Sequence, residues 1–129
     1  MFKMIAIAAV LSGAAIGATA SYAADALPAN VSQTAKGKML VDVKKMTLYV
    51  FDKDTAGKSN CNGPCEALWP VLKVAANATP SGDYTIVTRD DGSKQWAYKT
   101  KPLYTYSKDT KSGDTIGDAV NGTWHIAKP

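Results

Sequence analysis

Two cysteines four positions apart are the residues whose spacing points most directly to chemistry. The segment reads Cys61-Asn62-Gly63-Pro64-Cys65, and the chain has no other cysteine. Its Gly-Pro step favours a tight turn that would bring the two sulfurs together, and paired cysteines in an exported chain usually form a disulfide. We therefore predict a structural disulfide between Cys61 and Cys65.

A thiol-redox or soft-metal site is the alternative chemistry for the same pair. Thiolate, thioether and imidazole ligands suit copper, so such a site would join Cys61 and Cys65 to His125, with Met39 or Met46 as a further ligand. A disulfide would leave no thiolate for it. Because His125 is the only histidine, the sequence offers neither a histidine metal cluster nor a catalytic triad. We expect no catalytic residue, no metal and no cofactor, with copper on Cys61, Cys65 and His125 as the alternative.

A third pattern resembles the start of a calcium-binding loop. The run Asp52 to Gly57 places aspartates at alternate positions, but Gly63 stands where the bidentate glutamate would be. Asp54 and Asp109 each follow a predicted strand, and an aspartate there can accept backbone N–H bonds in an Asx-type turn. We predict that both carboxylates fix turns.

The elements that position these residues occur twice. Leu48-Tyr49-Val50-Phe51-Asp52-Lys53-Asp54-Thr55 matches Leu103-Tyr104-Thr105-Tyr106-Ser107-Lys108-Asp109-Thr110 at an offset of 55, and the same offset pairs Trp69 with Trp124. No gap is needed between 37–72 and 92–127. A fixed-offset match of this length indicates an internal duplication.

The local patterns favour β-strands. Short runs rich in β-branched and aromatic residues, or alternating with polar ones, predict strands. These runs are 39–43, 47–51, 84–88, 95–98, 103–106 and 123–126. Asp90-Asp91-Gly92 predicts a hairpin turn, and Lys44-Lys45 and Lys99 to Pro102 predict turns in the two repeats. Only Cys65–Trp69 predicts a helical turn, which Pro70 ends. The fold class is mostly β: a small antiparallel domain of two tandem strand–turn–strand repeats with that short helical turn.

Aromatic residues have two interpretations, a glycan- or peptide-binding face or the core. Strand alternation puts Tyr49 and Phe51 on one face of a strand and Leu48 and Val50 on the other. Because both faces are then apolar and small β domains use aromatics first to fill space, we expect the aromatic residues to form core.

The repeated core has the form Tyr-x-aromatic-x-x-Asp. It comprises Tyr49, Phe51 and Asp54 in the first copy and Tyr104, Tyr106 and Asp109 in the second. With the Ser59-to-Pro70 segment, it resembles the family of predicted lipoproteins with a Tyr-x-(Phe/Trp/Tyr)-x-x-Asp motif, also described as a secreted repeat of unknown function. The resemblance implies an extracytoplasmic repeat protein and no particular reaction. The chain departs from the family name because no cysteine precedes Cys61 to accept a lipid.

The first two dozen residues read as a secretory signal. Lys3 is followed by an uncharged, apolar run to Ala20, and Ser21-Tyr22-Ala23 fits the small-x-small cleavage pattern. We expect a signal peptide at 1–23 cleaved near Ala23, a flexible linker at 24–36 and one β domain at 37–129. The apolar run is shorter than the roughly 20 residues that span a bilayer, so no stable membrane insertion is expected.

The net charge and its distribution limit the classes of partner that the protein is expected to bind. Without Lys3 the chain has 14 Lys+Arg against 11 Asp+Glu, a net charge of +3, and the basic residues are scattered. Export and the lack of a basic run argue against nucleic acid, whereas a basic surface favours an envelope protein or an anionic polymer as partner. The sequence therefore predicts a periplasmic or secreted, soluble β-repeat protein that acts as a non-enzymatic binding or structural module of the cell envelope. The alternative is a periplasmic copper-binding or thiol-redox protein using Cys61 and Cys65.

Overall fold

The computed structural model describes residues 27–129, so the predicted signal peptide lies outside the described part of the chain. Within 27–129 there are seven strands and one short helix. They are β1 (Asn30–Thr34), β2 (Gly37–Val41), β3 (Tyr49–Phe51), α1 (Pro64–Leu68), β4 (Tyr84–Thr88), β5 (Lys94–Tyr98), β6 (Lys101–Pro102) and β7 (Trp124–Ile126). A single 3₁₀ turn at Val120–Gly122 precedes β7. None of the helices within 27–129 is long and apolar enough to cross a membrane. The mostly β fold of two tandem repeats is as predicted.

Each repeat opens with an antiparallel hairpin. β1 pairs with β2, with Asn30 opposite Val41, and β4 pairs with β5, with Thr88 opposite Lys94. The predicted turn at Asp90-Asp91-Gly92 joins β4 to β5, and Gly92 has the positive φ of 87° that such a turn requires.

The predicted flexible linker at 24–36 is wrong over Asn30–Thr34, which form β1. Its sequence, Asn-Val-Ser-Gln-Thr, is polar because β1 is an edge strand whose side chains are mostly exposed. Backbone pairing with β2, which is independent of side-chain polarity, makes this segment a strand. The first repeat therefore begins before Gly37.

The ungapped alignment of the repeats is also corrected by strand register. Val41 lies opposite Thr47, whereas Ala97 lies opposite Pro102, so the second turn has one residue fewer. Two residues separate Thr34 from its partner Gly37, whereas three separate the equivalent Arg89 from Ser93. The extra residue raises the offset to 56 in β5, and the shorter second turn restores it to 55. The two length changes cancel, so the sequence alignment does not reveal them.

The two repeats are joined at their centre by β3 and the segment after β6. The backbone amides of Tyr49 and Tyr104 donate to each other's carbonyl oxygens at 2.7 and 3.0 Å. β3 pairs with β7, with Val50 opposite His125. The equivalent partner of Thr105 is Pro70, whose carbonyl accepts from Thr105 at 2.7 Å.

The strand predicted at 103–106 is wrong, because only Tyr104 makes bridges there. Pro70 occupies the position that His125 has in β7, and proline has no N–H to donate back to Thr105. The ladder is therefore interrupted on this side of the molecule, although the path of the chain is preserved.

Two apolar clusters lie on opposite faces of this centre. Tyr49 belongs to the first cluster and Phe51 packs against it, whereas Leu48 belongs to the second and Val50 packs against it. The predicted two-sided burial of this strand is confirmed. The predicted helical turn is also confirmed as α1, which has Pro64 in its first turn and ends before Trp69.

Candidate functional site

The four motif tyrosines and aspartates bind one another across the repeats. The Tyr49 hydroxyl donates to Asp109 Oδ2 at 2.7 Å, and the Tyr104 hydroxyl donates to Asp54 Oδ2 at 2.7 Å. Each repeat thus supplies the donor for one bond and the acceptor for the other. We call these four residues the tyrosine–aspartate clasp.

The second oxygen of each clasp carboxylate accepts a backbone N–H. Asp54 Oδ1 accepts from Asn60 at 2.6 Å, and Asp109 Oδ1 accepts from Ile116 at 3.1 Å. The prediction that both aspartates receive backbone bonds is confirmed. The predicted Asx-type turn is wrong, because the donors lie six and seven residues further along the chain and each carboxylate closes a wider loop.

Burial dominates the electrostatics of the clasp. It raises the pKa of Asp54 and Asp109, although hydrogen bonds to the charged form oppose this shift. It also raises the pKa of Tyr49 and Tyr104 far above the usual value of 10, and the facing carboxylates add to this rise. The tyrosines therefore remain neutral donors at physiological pH, which suits a structural role.

The aromatic motif positions extend the clasp into a stack of four rings. Trp69 and Trp124 lie in parallel with ring centroids 3.7 Å apart. Phe51 stacks on Trp124 at 4.2 Å, and Tyr106 stacks on Trp69 at 4.0 Å. The expectation that the aromatic residues form core is confirmed for these rings, which belong to or pack against the first cluster.

Gly117 leaves room for this stack and for the clasp. A Cβ atom at this position would approach Trp69 Cη2 and Tyr49 Cζ to 2.9 Å each. Its backbone N–H also donates to the Tyr49 hydroxyl at 3.2 Å. This contact is not predictable from the sequence, because glycine at a turn is ordinary.

Cys61 and Cys65 form a disulfide, as predicted, with Cα atoms 5.2 Å apart. Cys61 is fully buried in the first cluster, and Cys65 packs against that cluster. The bond closes the loop that leads into α1.

Arg89 holds this loop from the end of β4. Its side chain is fully buried, and its Nη2 donates to the Cys61 carbonyl at 2.6 Å and to Glu66 Oε1 at 3.0 Å. Nη1 donates to Ser59 Oγ at 2.8 Å and to Gln95 Oε1 at 2.7 Å. The residue types around Arg89 in the sequence do not mark it as part of a site. Its only sequence signal is that the other 14 basic residues are lysines, whereas several converging acceptors require a guanidinium fork.

The residues proposed for the alternative copper site differ in burial and in the groups that they contact. His125 is in β7, half-exposed, with Nε2 2.8 Å from Asp52 Oδ2. Met39 is buried in the first cluster, and Met46 is half-buried in the turn before β3. No group of three or more His, Cys, Asp and Glu side chains within 27–129 is arranged to hold a metal ion. The sulfurs of Cys61 and Cys65 are bonded to each other.

A cleft beside β7 collects basic side chains. It has a volume of about 280 Å³ and is lined by Lys99, Lys101, Lys128 and His125, with Asp52 as its acidic member. We call it the lysine cleft. Lys128 Nζ donates to the Lys36 carbonyl at 2.7 Å. The ammonium groups of Lys99 and Lys101 have no carboxylate within 4.0 Å among the residues that the structure describes.

The turn that carries two of these lysines has an unusual backbone. Lys99 has φ of 49° and Thr100 has φ of 71°, a region where β-branched residues are rare. The Gly57 N–H donates to the Thr100 carbonyl at 2.9 Å, and the Lys99 N–H donates to the Asp83 carbonyl at 2.9 Å. Two consecutive positive φ values are what a two-residue hairpin turn between Tyr98 and Lys101 requires.

Fold and clasp together define a class: a small all-β protein whose two tandem repeats are locked by reciprocal side-chain bonds. The chain belongs to the family described as a secreted repeat of unknown function, whose model matches residues 30–73 and 85–128. The two matched segments begin 55 residues apart, and the first includes β1. No curated protein and no solved structure matches the chain significantly.

Proposed function

We propose that this protein is an exported, non-enzymatic module of the cell envelope that binds an acidic polymer in the lysine cleft. Its membership of a secreted family and its signal-like residues 1–23 support export to the periplasm or beyond. The observation that carries the proposal is a pair of ammonium groups at one cleft, Lys99 and Lys101, that have no carboxylate partner within residues 27–129.

The motif supports a scaffold role rather than a reaction. The hydroxyl groups of Tyr49 and Tyr104 donate hydrogen bonds to Asp109 and Asp54, and both carboxylates also accept backbone N–H groups. Their polar atoms are thus engaged with each other inside the core. A motif used in this way holds the two repeats together. We therefore place ligand binding at the surface of the protein.

The cleft favours a ligand with repeated negative charges. Ammonium groups without a carboxylate partner attract phosphate or carboxylate oxygens, and a net charge of +3 for residues 24–129 adds long-range attraction. Lys99 Nζ also lies 5.2 Å from the centroid of the Tyr98 ring, so its ammonium group faces an aromatic wall of the cleft. A fixed turn that presents lysines in this way suits a polymer backbone better than a single buried anion.

The test is binding to immobilised polyphosphate and to polygalacturonate in low and in physiological salt. The double variant Lys99→Gln/Lys101→Gln should bind roughly fivefold more weakly, as expected from losing two exposed charge contacts of up to about 0.5 kcal/mol each. Binding should also weaken as salt rises, because exposed charges are screened.

The matched control is Lys108→Gln/Lys111→Gln, which removes the same charge from exposed lysines outside the cleft. Equal losses in the two double variants would show that net charge alone attracts the polymer. That result, or no binding to either polymer in low salt, would contradict the proposal.

A further inference from the structure

Three large apolar side chains near the start of the described chain are exposed and adjacent. Val43 is 75% exposed, Val31 56% and Leu27 46%. Val43 lines two neighbouring grooves, one shared with Leu27 and the other with Val31. The three side chains therefore form one surface, which we call the N-terminal patch.

Val43 is exposed on a turn that several hydrogen bonds hold in place. The Asp42 carboxylate accepts the backbone N–H groups of Lys44 at 2.8 Å and Met46 at 2.9 Å. The Asp42 N–H donates to the Met46 carbonyl at 2.9 Å, and Lys45 takes a positive φ of 67°. The equivalent turn of the second repeat carries Lys99 and Thr100 at its tip and no apolar residue. Val43 is thus a feature of the first repeat alone.

Lysines flank the patch on both sides. Lys44 lines the groove with Leu27, and Lys45 lines the groove with Val31. Neither ammonium group has a carboxylate within 4.0 Å in the described part of the chain. An apolar tip flanked by lysines matches the boundary between acyl chains and acidic headgroups, where the tip is buried and the ammonium groups stay with the lipid phosphates.

The position of the patch in the chain points to the same occupant. The apolar run that begins at Met4 ends at Ala20, and only 21–26 separate it from Leu27. Seven Cα–Cα steps span at most about 25 Å. While the N-terminal segment is engaged with the membrane during export, the patch is therefore held close to the lipid surface.

We propose that the N-terminal patch binds the surface of membranes containing acidic lipids, as a reversible peripheral contact. It uses none of the residues that line the lysine cleft, so the two proposals can fail separately. The contact would keep the exported domain at the membrane without a spanning helix or an attached lipid.

The experiment measures co-sedimentation of the exported protein, isolated from cells expressing the whole chain, with vesicles. One set contains phosphatidylglycerol and phosphatidylethanolamine, and the other contains phosphatidylcholine only. We expect binding to the acidic vesicles and at least fivefold weaker binding to the neutral ones. Val31→Ser/Val43→Ser and, separately, Lys44→Gln/Lys45→Gln should each weaken binding to acidic vesicles at least fivefold.

Ile116→Ser is the matched apolar control, since Ile116 is 59% exposed and lies outside the patch. Lys108→Gln/Lys111→Gln is the charge control, and both controls should bind like the parent protein. Equal binding to the two vesicle types, or an unchanged Val31→Ser/Val43→Ser variant, would overturn the proposal. So would lipid-independent dimerisation that the valine variant abolishes, because the occupant would then be a second copy of the chain.

Discussion

The indole rings of Trp69 and Trp124 are nearly parallel, with an interplanar angle of 3°, and they occupy equivalent positions in the two repeats. Equivalent residues that touch each other must lie beside the axis that relates the repeats. Tyr49 and Tyr104 meet in the same way through their backbones. The two-fold axis that relates the repeats therefore passes through the core. The repeats share this core and do not meet at a separate interface.

This relation makes the two repeats interdependent. Separated from its partner, the first repeat would expose one face of Trp69 and leave the Tyr49 hydroxyl without Asp109. The exposed apolar surface and the lost hydrogen bond both disfavour an isolated repeat. We infer that the repeats fold together as one cooperative unit.

The clasp can be measured with a double-mutant cycle on Tyr49 and Asp109. Tyr49→Phe and Asp109→Ala should each lower the free energy of unfolding by about 1–3 kcal/mol, because each leaves a buried polar group unpaired. The double variant should lose less than the sum, with a coupling of about 0.5–3 kcal/mol. Urea midpoints provide the measurement, and Tyr98→Phe outside the clasp is the control. Additive losses would show that the two side chains do not depend on each other.

Alkaline pH should destabilise the fold through Tyr49 and Tyr104. Burial raises the pKa of both phenols in the folded state above the ordinary value of 10. The folded state therefore keeps these protons where the unfolded chain releases them. Their stabilising effect is complete below pH 10 and is lost as pH rises beyond it, by up to about 1.4 kcal/mol per pH unit for each tyrosine.

Two readouts check this pH dependence. The urea midpoint should fall from pH 9 to pH 11 in the parent protein and fall less in Tyr49→Phe. Phenolate absorbance should show tyrosines that ionise only as the protein unfolds. Full ionisation of every tyrosine before unfolding would contradict the burial of the clasp phenols.

Strand positions could be predicted from the sequence where side-chain alternation coincides with burial. Tyr84–Thr88 alternates and forms a strand with the predicted bounds. Asn30–Thr34 was missed because an edge strand with exposed polar residues has the composition of a linker. The segment 103–106 was overpredicted because its own residues favour a strand, whereas the missing N–H belongs to Pro70, far away in the chain.

The site could be predicted only in part, because its partners are distant in sequence. The motif places Tyr49 near Asp54, which suggests that each copy is self-contained. The structure instead joins residues 60 and 50 positions apart. Cys61 and Cys65 were predictable because their short spacing leaves them few other options.

Arg89 should contribute more to the free energy of unfolding than an exposed basic residue does. Arg89→Lys keeps the charge but cannot reach the Cys61 carbonyl, Ser59 and Gln95 together, since an ammonium is compact. Arg89→Lys should leave several buried acceptors unpaired, at roughly 1–3 kcal/mol each, and so lower the free energy of unfolding by about 3 kcal/mol or more. Lys58→Gln is the comparison. It breaks an exposed ion pair with Asp90 and should cost at most about 1 kcal/mol. Similar losses of unfolding free energy in Arg89→Lys and Lys58→Gln would contradict the inference that the buried contacts of Arg89 stabilise the fold.

The cysteine pair distinguishes the scaffold interpretation from the copper or redox alternative. Native protein should contain no reactive thiol, and two thiols should appear only after unfolding in reductant, because Cys61 is buried beneath the Arg89 contact. Cys61→Ala/Cys65→Ala should lower the free energy of unfolding by about 2 kcal/mol, the entropic value for so short a loop. His125→Gln, which removes the proposed third copper ligand and the bond to Asp52, should leave the thiol count unchanged.

Copper binding supplies the deciding measurement for that pair. Cu(I) added to native protein in competition with a chromogenic chelator should stay with the chelator, because a disulfide offers no thiolate ligand. Reduced protein provides the positive control, since free thiolates favour Cu(I). If native protein instead withdraws one Cu(I) from the chelator and His125→Gln abolishes this, the imidazole and the cysteines must converge on one ion. The cysteines of native protein would then have to be thiols, so the predicted disulfide would be wrong and the copper interpretation would replace the scaffold one.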